Sequence, residues 1–116
     1  MEPKINQIPS TRAKVLDIAR EAVTKDRAAT HGRPEQSLNA IARLWTAFLN
    51  NHLSQEGVIA TLQLLPHDVA LMMSLMKVAR AHHNPLHEDN WVDLAGYAAC
   101  GADVAEQFVS SNAISS

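Results

Sequence analysis

Disulfides are the first thing this chain lacks. Its one cysteine, Cys100, has no second cysteine with which to form an internal disulfide, which fits a reducing compartment, and it reads as a small buried hydrophobe. Aromatics are scarce as well: Trp45, Phe48, Trp91, Tyr97 and Phe108. A β-sandwich wants more aromatic and β-branched residues than that, so helix packing suits this composition better. Basic excess is missing, with a formal net charge of −2, which argues against a general grip on nucleic acid. No apolar run is long enough to span a bilayer. The longest, Val69 to Met76, is broken by Ser74 and stops at Lys77. Met1 to Ser10 is polar and does not read as a signal peptide, so a cytoplasmic protein is expected. Internal repeats, low-complexity tracts and an interdomain linker are absent.

What is present is apolar and periodic. Hydrophobic residues make up 47% of 116 positions, enough for a single domain with one core. Ser10 reads as an N-cap for a helix over Thr11–Lys25, with Val15, Ile18, Ala19, Ala22 and Val23 on one face. Asp26 to Arg33 reads as a connection. Pro34 sits where a first helical residue belongs, and Leu38, Ile41, Ala42, Trp45, Phe48 and Leu49 continue a second stripe, with Asn50-Asn51 as its stop. From His52 to Leu65 the pattern is ambiguous; Val58–Leu65 reads as either a short helix or an extended lead into Pro66. A third helix is expected from Pro66 to about His83, stopped at Asn84-Pro85, with Met72, Met73 and Met76 in the core. A fourth is expected from Glu88 or Asp89 to about Val109, with frayed ends at 1–9 and 110–116. Gly96 and Gly101 inside it each cost about 1 kcal/mol against alanine, which implies a packing or ligand reason. The expected fold is all-α, a single four-helix bundle-like domain.

Three clusters carry chemistry. The connection Asp26–Glu35 combines His31, Gly32, two arginines (Arg27 and Arg33) and a helix start, which suits either a solvated turn or an anion site. Asp89 and Asp93 are four apart, so both carboxylates leave one face of the fourth helix, with Asn90 and Tyr97 nearby on that side. Hard oxygen donors at that spacing suit Mg²⁺; the alternative is a dipole partner at Asp89 and an ion-pair partner at Asp93. On the third helix, Lys77 and Arg80 share a side and either pair with those acids or bind phosphate. His82 and His83 are adjacent and point apart. No HExxH, P-loop, Rossmann or Gly-x-Ser-x-Gly pattern occurs.

These residues carry two resemblances. Arg27-Ala28-Ala29-Thr30-His31-Gly32 with Asn39, Ile41-Ala42 and Leu44-Trp45 resembles a family of small phage and prophage proteins. So do Asp68-Val69-Ala70-Leu71-Met72-Met73 with Lys77 and Ala79-Arg80, and Asp89-Asn90-Trp91-Val92-Asp93 with Gly96-Tyr97-Ala98. More distantly, the last two helices resemble those of the MazG-like all-α nucleoside-triphosphate pyrophosphohydrolases. That group binds Mg²⁺ with an acidic cluster on one helix and a Glu-x-x-Asp pair on the next. Asn90-Trp91-Val92-Asp93 stands at the second pair, Asp68 at one acid of the first, and Met72 and Met73 where further carboxylates belong.

The second resemblance implies a MazG-like fold and Mg²⁺-dependent hydrolysis of a nucleoside triphosphate to monophosphate and pyrophosphate. Asp68, Asp89 and Asp93 would hold the metal. His31, Arg33, Asn39, Lys77, Arg80, Asn90 and Tyr97 would surround the substrate, and the chain would form a homodimer or larger assembly. The depleted acids imply an alternative: a non-catalytic phage accessory protein, in the host cytoplasm, that binds a nucleotide or a host protein through the same pocket.

Overall fold

The structure is a computed structural model that describes residues 10–26 and 34–115, with side chains over 10–25 and 36–110. Four α-helices follow one another: α1 (Thr11–Glu21), α2 (Pro34–Gln55), α3 (Pro66–His83) and α4 (Glu88–Ser115), and no strand occurs among the described residues. Among the described residues, no helix is long and apolar enough to cross a membrane.

Local chemistry explains most of the boundaries. The Ser10 hydroxyl accepts from the Ala13 amide at 3.2 Å and starts α1. Past Glu21 the chain loosens into a π-helical turn, Ala22–Asp26, where the Thr24 hydroxyl donates to the Arg20 carbonyl at 2.6 Å. Pro34 opens α2, as its fixed φ favours. Leu65 cannot cap α3 with its side chain, so Asp68 supplies the cap, its Oδ2 accepting from the Leu65 amide at 2.8 Å. At the other end of α3, Asn84 turns extended ahead of Pro85, and its amide closes the last turn on the Arg80 carbonyl.

Three expectations need correction. Helix α2 does not stop at Asn50-Asn51 but runs to Gln55. Its terminator is Gly57, at φ +77°, in a Schellman turn: Val58 N–H bonds Leu53 O and Gly57 N–H bonds Ser54 O. Asn50 instead reaches across to the returning chain, donating to the Leu62 carbonyl and accepting from the Leu62 amide, both at 2.9 Å. With Thr46 Oγ1 accepting from Leu64 N–H, this makes the segment before Pro66 extended, the second of the two readings of Val58–Leu65. Helix α4 does not stop near Val109 but continues to Ser115. Finally, Met72 and Met76 are exposed, because they lie on ridges of α3 turned away from its neighbours; only Met73 packs on the core.

α3 and α4 form an antiparallel hairpin. Lys77 faces Asp93, and Ala70 faces Gly101, so residue numbers rise on one helix as they fall on the other. α1 lies along α4 in the same direction, with Lys14 at Glu88 and Val23 against Gly96. α2 closes the far end of the hairpin. Its Leu38 and Ala42 bury with Val69, Ala70, Cys100 and Val104, and Ile41, Trp45, Met73 and Val23 pack around that cluster. The two glycines of α4 stand where other helices come closest: a Cβ at Gly101 would lie 3.0 Å from the Ala70 methyl, and one at Gly96 3.3 Å from Val23 Cγ1.

Candidate functional site at the α3–α4 junction

Toward the corner end of the hairpin, its seam changes from apolar to polar. Lys77 and Asn90 are the buried polar residues among those described, at 9% and 5% exposure. Lys77 Nζ lies 2.7 Å from Asp93 Oδ2, so its charge is already matched. The Asn90 side chain has no hydrogen-bond partner among the described residues. Tyr97, one turn beyond Asp93, is buried in the same seam. Around the corner, the Trp91 indole N–H donates to the Pro85 carbonyl at 2.8 Å and holds the connection against α4.

A hollow of about 460 Å³ opens beside Asn90, lined by Ala79, Arg80, His83, Asn84, His87 and Asn90. Arg80 and His83 are exposed on its rim, and neither pairs with a carboxylate among the described residues. Asp89 lies 3.9 Å from His87 Nε2 and is largely solvated. Glu88 is drawn the other way, to Lys14 at 3.3 Å.

The structure thus brings Lys77, Arg80, Asn90 and Asp93 to one end of the hairpin, with Asp89 at its edge, while Tyr97 lies midway along it, beside Ala70, Leu71 and Ser74. Asn39 is elsewhere: it lines a second cavity, about 470 Å³, with Arg43, Gln63, Gln107 and Phe108 near the start of α3. Asp68 caps that same end of α3, nine residues from Lys77, or about 13 Å along the helix. The expected metal set of Asp68, Asp89 and Asp93 therefore does not converge within one chain. No group of three His, Cys, Asp or Glu side chains placed to hold a metal occurs among the described residues. His31 and Arg33 lie outside the described residues. The sequence reading missed His83, Asn84 and His87, because they straddle the Pro85 break, where helical spacing no longer says which side chains meet.

Comparison with known proteins places these residues in a family. Residues 14–105 match DUF6378, a domain of unknown function. The chain belongs to that family. It is 39% identical over 84 residues to the Gene 55 protein of Mycobacterium phage L5, covering 72% of this chain and 47% of that protein. It is 30% identical over 93 residues to the Gene 55 protein of Mycobacterium phage D29, covering 80% and 54%. The chain spans about half the length of the curated relatives it matches. No solved structure matches it. The DUF6378 match takes in every candidate site residue named above.

Proposed function

We propose that this DUF6378 protein is a phage accessory protein that binds a phosphorylated small molecule of nucleotide type at the α3–α4 junction and does no hydrolysis as a single chain. The observation that carries this reading is the polar seam in an apolar hairpin: the Lys77–Asp93 pair, buried Asn90, and Arg80 beside them. Buried polar groups are costly where packing alone is needed. A cationic rim next to them suits a phosphate-bearing ligand better than an apolar one. The placement of the acids supports binding over catalysis, since Asp93 is engaged by Lys77 and Asp68 is far away. A host protein as the ligand of this junction is a third reading, without the phosphate chemistry that the rim favours.

The Mg²⁺-dependent pyrophosphohydrolase reading keeps one supporting observation. Asp89 and Asp93 share a ridge of α4, and Asn90 and Asp93 stand where the MazG-like group carries its Glu-x-x-Asp pair, with Asn in place of Glu. In that reading the third carboxylate comes from another copy of the chain, so the enzyme is a homodimer or larger. One experiment separates the readings. A panel of nucleoside mono-, di- and triphosphates is titrated calorimetrically with and without Mg²⁺, and pyrophosphate release is followed in parallel. Saturable binding without release supports the binder. Mg²⁺-dependent release supports the enzyme, and no binding by any nucleotide overturns both.

A further inference from the structure

The junction has two places where an anion could meet positive charge: Lys77 in the seam and the hollow outside it. They are not equivalent. Lys77 is held by Asp93 at 2.7 Å, and a phosphate arriving there would have to displace that partly exposed carboxylate. The hollow has no such competitor in its wall. Arg80 brings a guanidinium with no carboxylate partner among the described residues, and His83, Asn84 and His87 add side-chain nitrogens around the same space. The decisive group is Asn90. It is 5% exposed, lines the hollow, and has no hydrogen-bond partner among the described residues. The amide is not sealed from water, since His67 Nδ1 is the only buried side-chain polar atom without a partner among the described residues, and a ligand oxygen in the hollow would take the place of water on its N–H groups.

We propose that the hollow lined by Arg80, His83, Asn84, His87 and Asn90 is a metal-independent seat for a phosphate group, with Arg80 supplying the charge and Asn90 the buried donor. The inference rests on the nucleotide-binding reading and refines it: the phosphate end of the ligand sits outside the seam, and Lys77 is a structural residue rather than a ligand to phosphate. Asp89 works against the site. It lies 3.9 Å from His87 Nε2, so it competes with phosphate for that ring and adds like charge at the rim. This gives the seat a signature that a metal site lacks. Removing the Asp89 charge tightens a phosphate seat and weakens a Mg²⁺ site.

The test uses inorganic phosphate and pyrophosphate, titrated calorimetrically into the whole chain in a chloride buffer with chelator, alongside the nucleotide that binds best. The wild type shows saturable binding of pyrophosphate without metal. Arg80→Gln weakens it about tenfold or more, as expected for loss of a charge-assisted contact. Asp89→Asn strengthens it several-fold, roughly the effect of one nearby like charge. Asn90→Leu weakens it, with the melting curve showing that this variant is folded; Arg80 and Asp89 are exposed, so their variants keep the test sound if it is not. Nucleotide binding that is equal in wild type and Arg80→Gln overturns the phosphate seat and leaves the nucleotide reading standing. Absence of pyrophosphate binding by the wild type overturns the seat even where nucleotides bind. Binding only with Mg²⁺, or weakened by Asp89→Asn, overturns it in favour of the metal site.

Discussion

Asp93 carries the clearest residue-scale consequence. Its carboxylate is the partner of a nearly buried ammonium, and that role can be separated from ligand binding by choosing the substitution. Asp93→Asn leaves Lys77 charged without its carboxylate in a seam where water reaches little of it. Breaking a fully buried pair costs about 3–5 kcal/mol; because Asp93 is about a third exposed, roughly 2 kcal/mol is expected here, or a fall of about 10 °C in Tm. Lys77→Met in the Asp93→Asn background removes the stranded charge and recovers most of that loss. Thermal melts of the wild type and the two variants check this, and a Tm for Asp93→Asn within a degree or so of wild type would show that the pair contributes nothing. Pyrophosphate affinity is expected to change little in all folded variants, because the phosphate seat lies outside the pair. Much of this site could be read from the sequence: a lysine, an arginine and an aspartate embedded in apolar helices stand out by type alone. Which of them pair and which remain open could not, because that depends on how α3 and α4 are registered.

At the scale of elements, helix starts were legible and helix ends were not. Ser10, Pro34, Pro66 and Glu88 act within one turn of themselves, so each boundary is written locally. The end of α2 depends on Gly57 taking φ +77°, while Asn50, which looks like a stop, is used for a contact twelve residues on with Leu62. The two glycines of α4 illustrate the same limit. Their spacing announces close approach, but their neighbours decide what a methyl group does. At Gly101 the added Cβ meets the Ala70 methyl at 3.0 Å, and Ala70 has no rotamer with which to yield, so α3 and α4 must separate. That cost outweighs the roughly 1 kcal/mol that alanine gains in helix propensity, and Gly101→Ala lowers Tm. At Gly96 the neighbour is Val23 Cγ1 at 3.3 Å, on a side chain in the π-helical turn after α1, which can shift by a few tenths of an ångström. Gly96→Ala is therefore expected to be neutral or to raise Tm by a few degrees, within the about 1 kcal/mol propensity gain. Opposite signs in the two melts support a rigid contact at Gly101 and a yielding one at Gly96; a stabilised Gly101→Ala would mean that the α3–α4 contact is looser than 3.0 Å implies.

The molecule as a whole leaves a large part of its apolar surface uncovered. Its radius of gyration is 18.1 Å, against about 13 Å for a compact domain of this length. The outer side of α3 presents Leu71, Leu75 and Val78, all half exposed or more, and α2 presents Leu44 and Phe48 one turn apart. Between Leu71 and Val78 the one charged residue, Lys77, is turned inward to Asp93, so the ridge has no charge to hold it in water. A continuous apolar ridge of this kind rarely stays exposed in a soluble monomer, and an uncharged face is complementary to itself, which favours an isologous two-fold pairing with a second copy. Light scattering at micromolar concentration is expected to give about twice the 12.7 kDa of one chain, and Leu75→Glu, which places a charge in the middle of the ridge, is expected to return it to 12.7 kDa with the helical circular dichroism signal kept. A wild-type mass of 12.7 kDa overturns the pairing. The same measurement bears on catalysis. Asp68 and Asp93 sit at opposite ends of the hairpin in one chain, so carboxylates from these two positions can share an Mg²⁺ only if another copy brings its own α3 alongside. A monomer would leave Asp89 and Asp93 as the acidic pair on the α4 ridge, with Asp93 already committed to Lys77, and would remove the three-carboxylate magnesium reading along with the dimer.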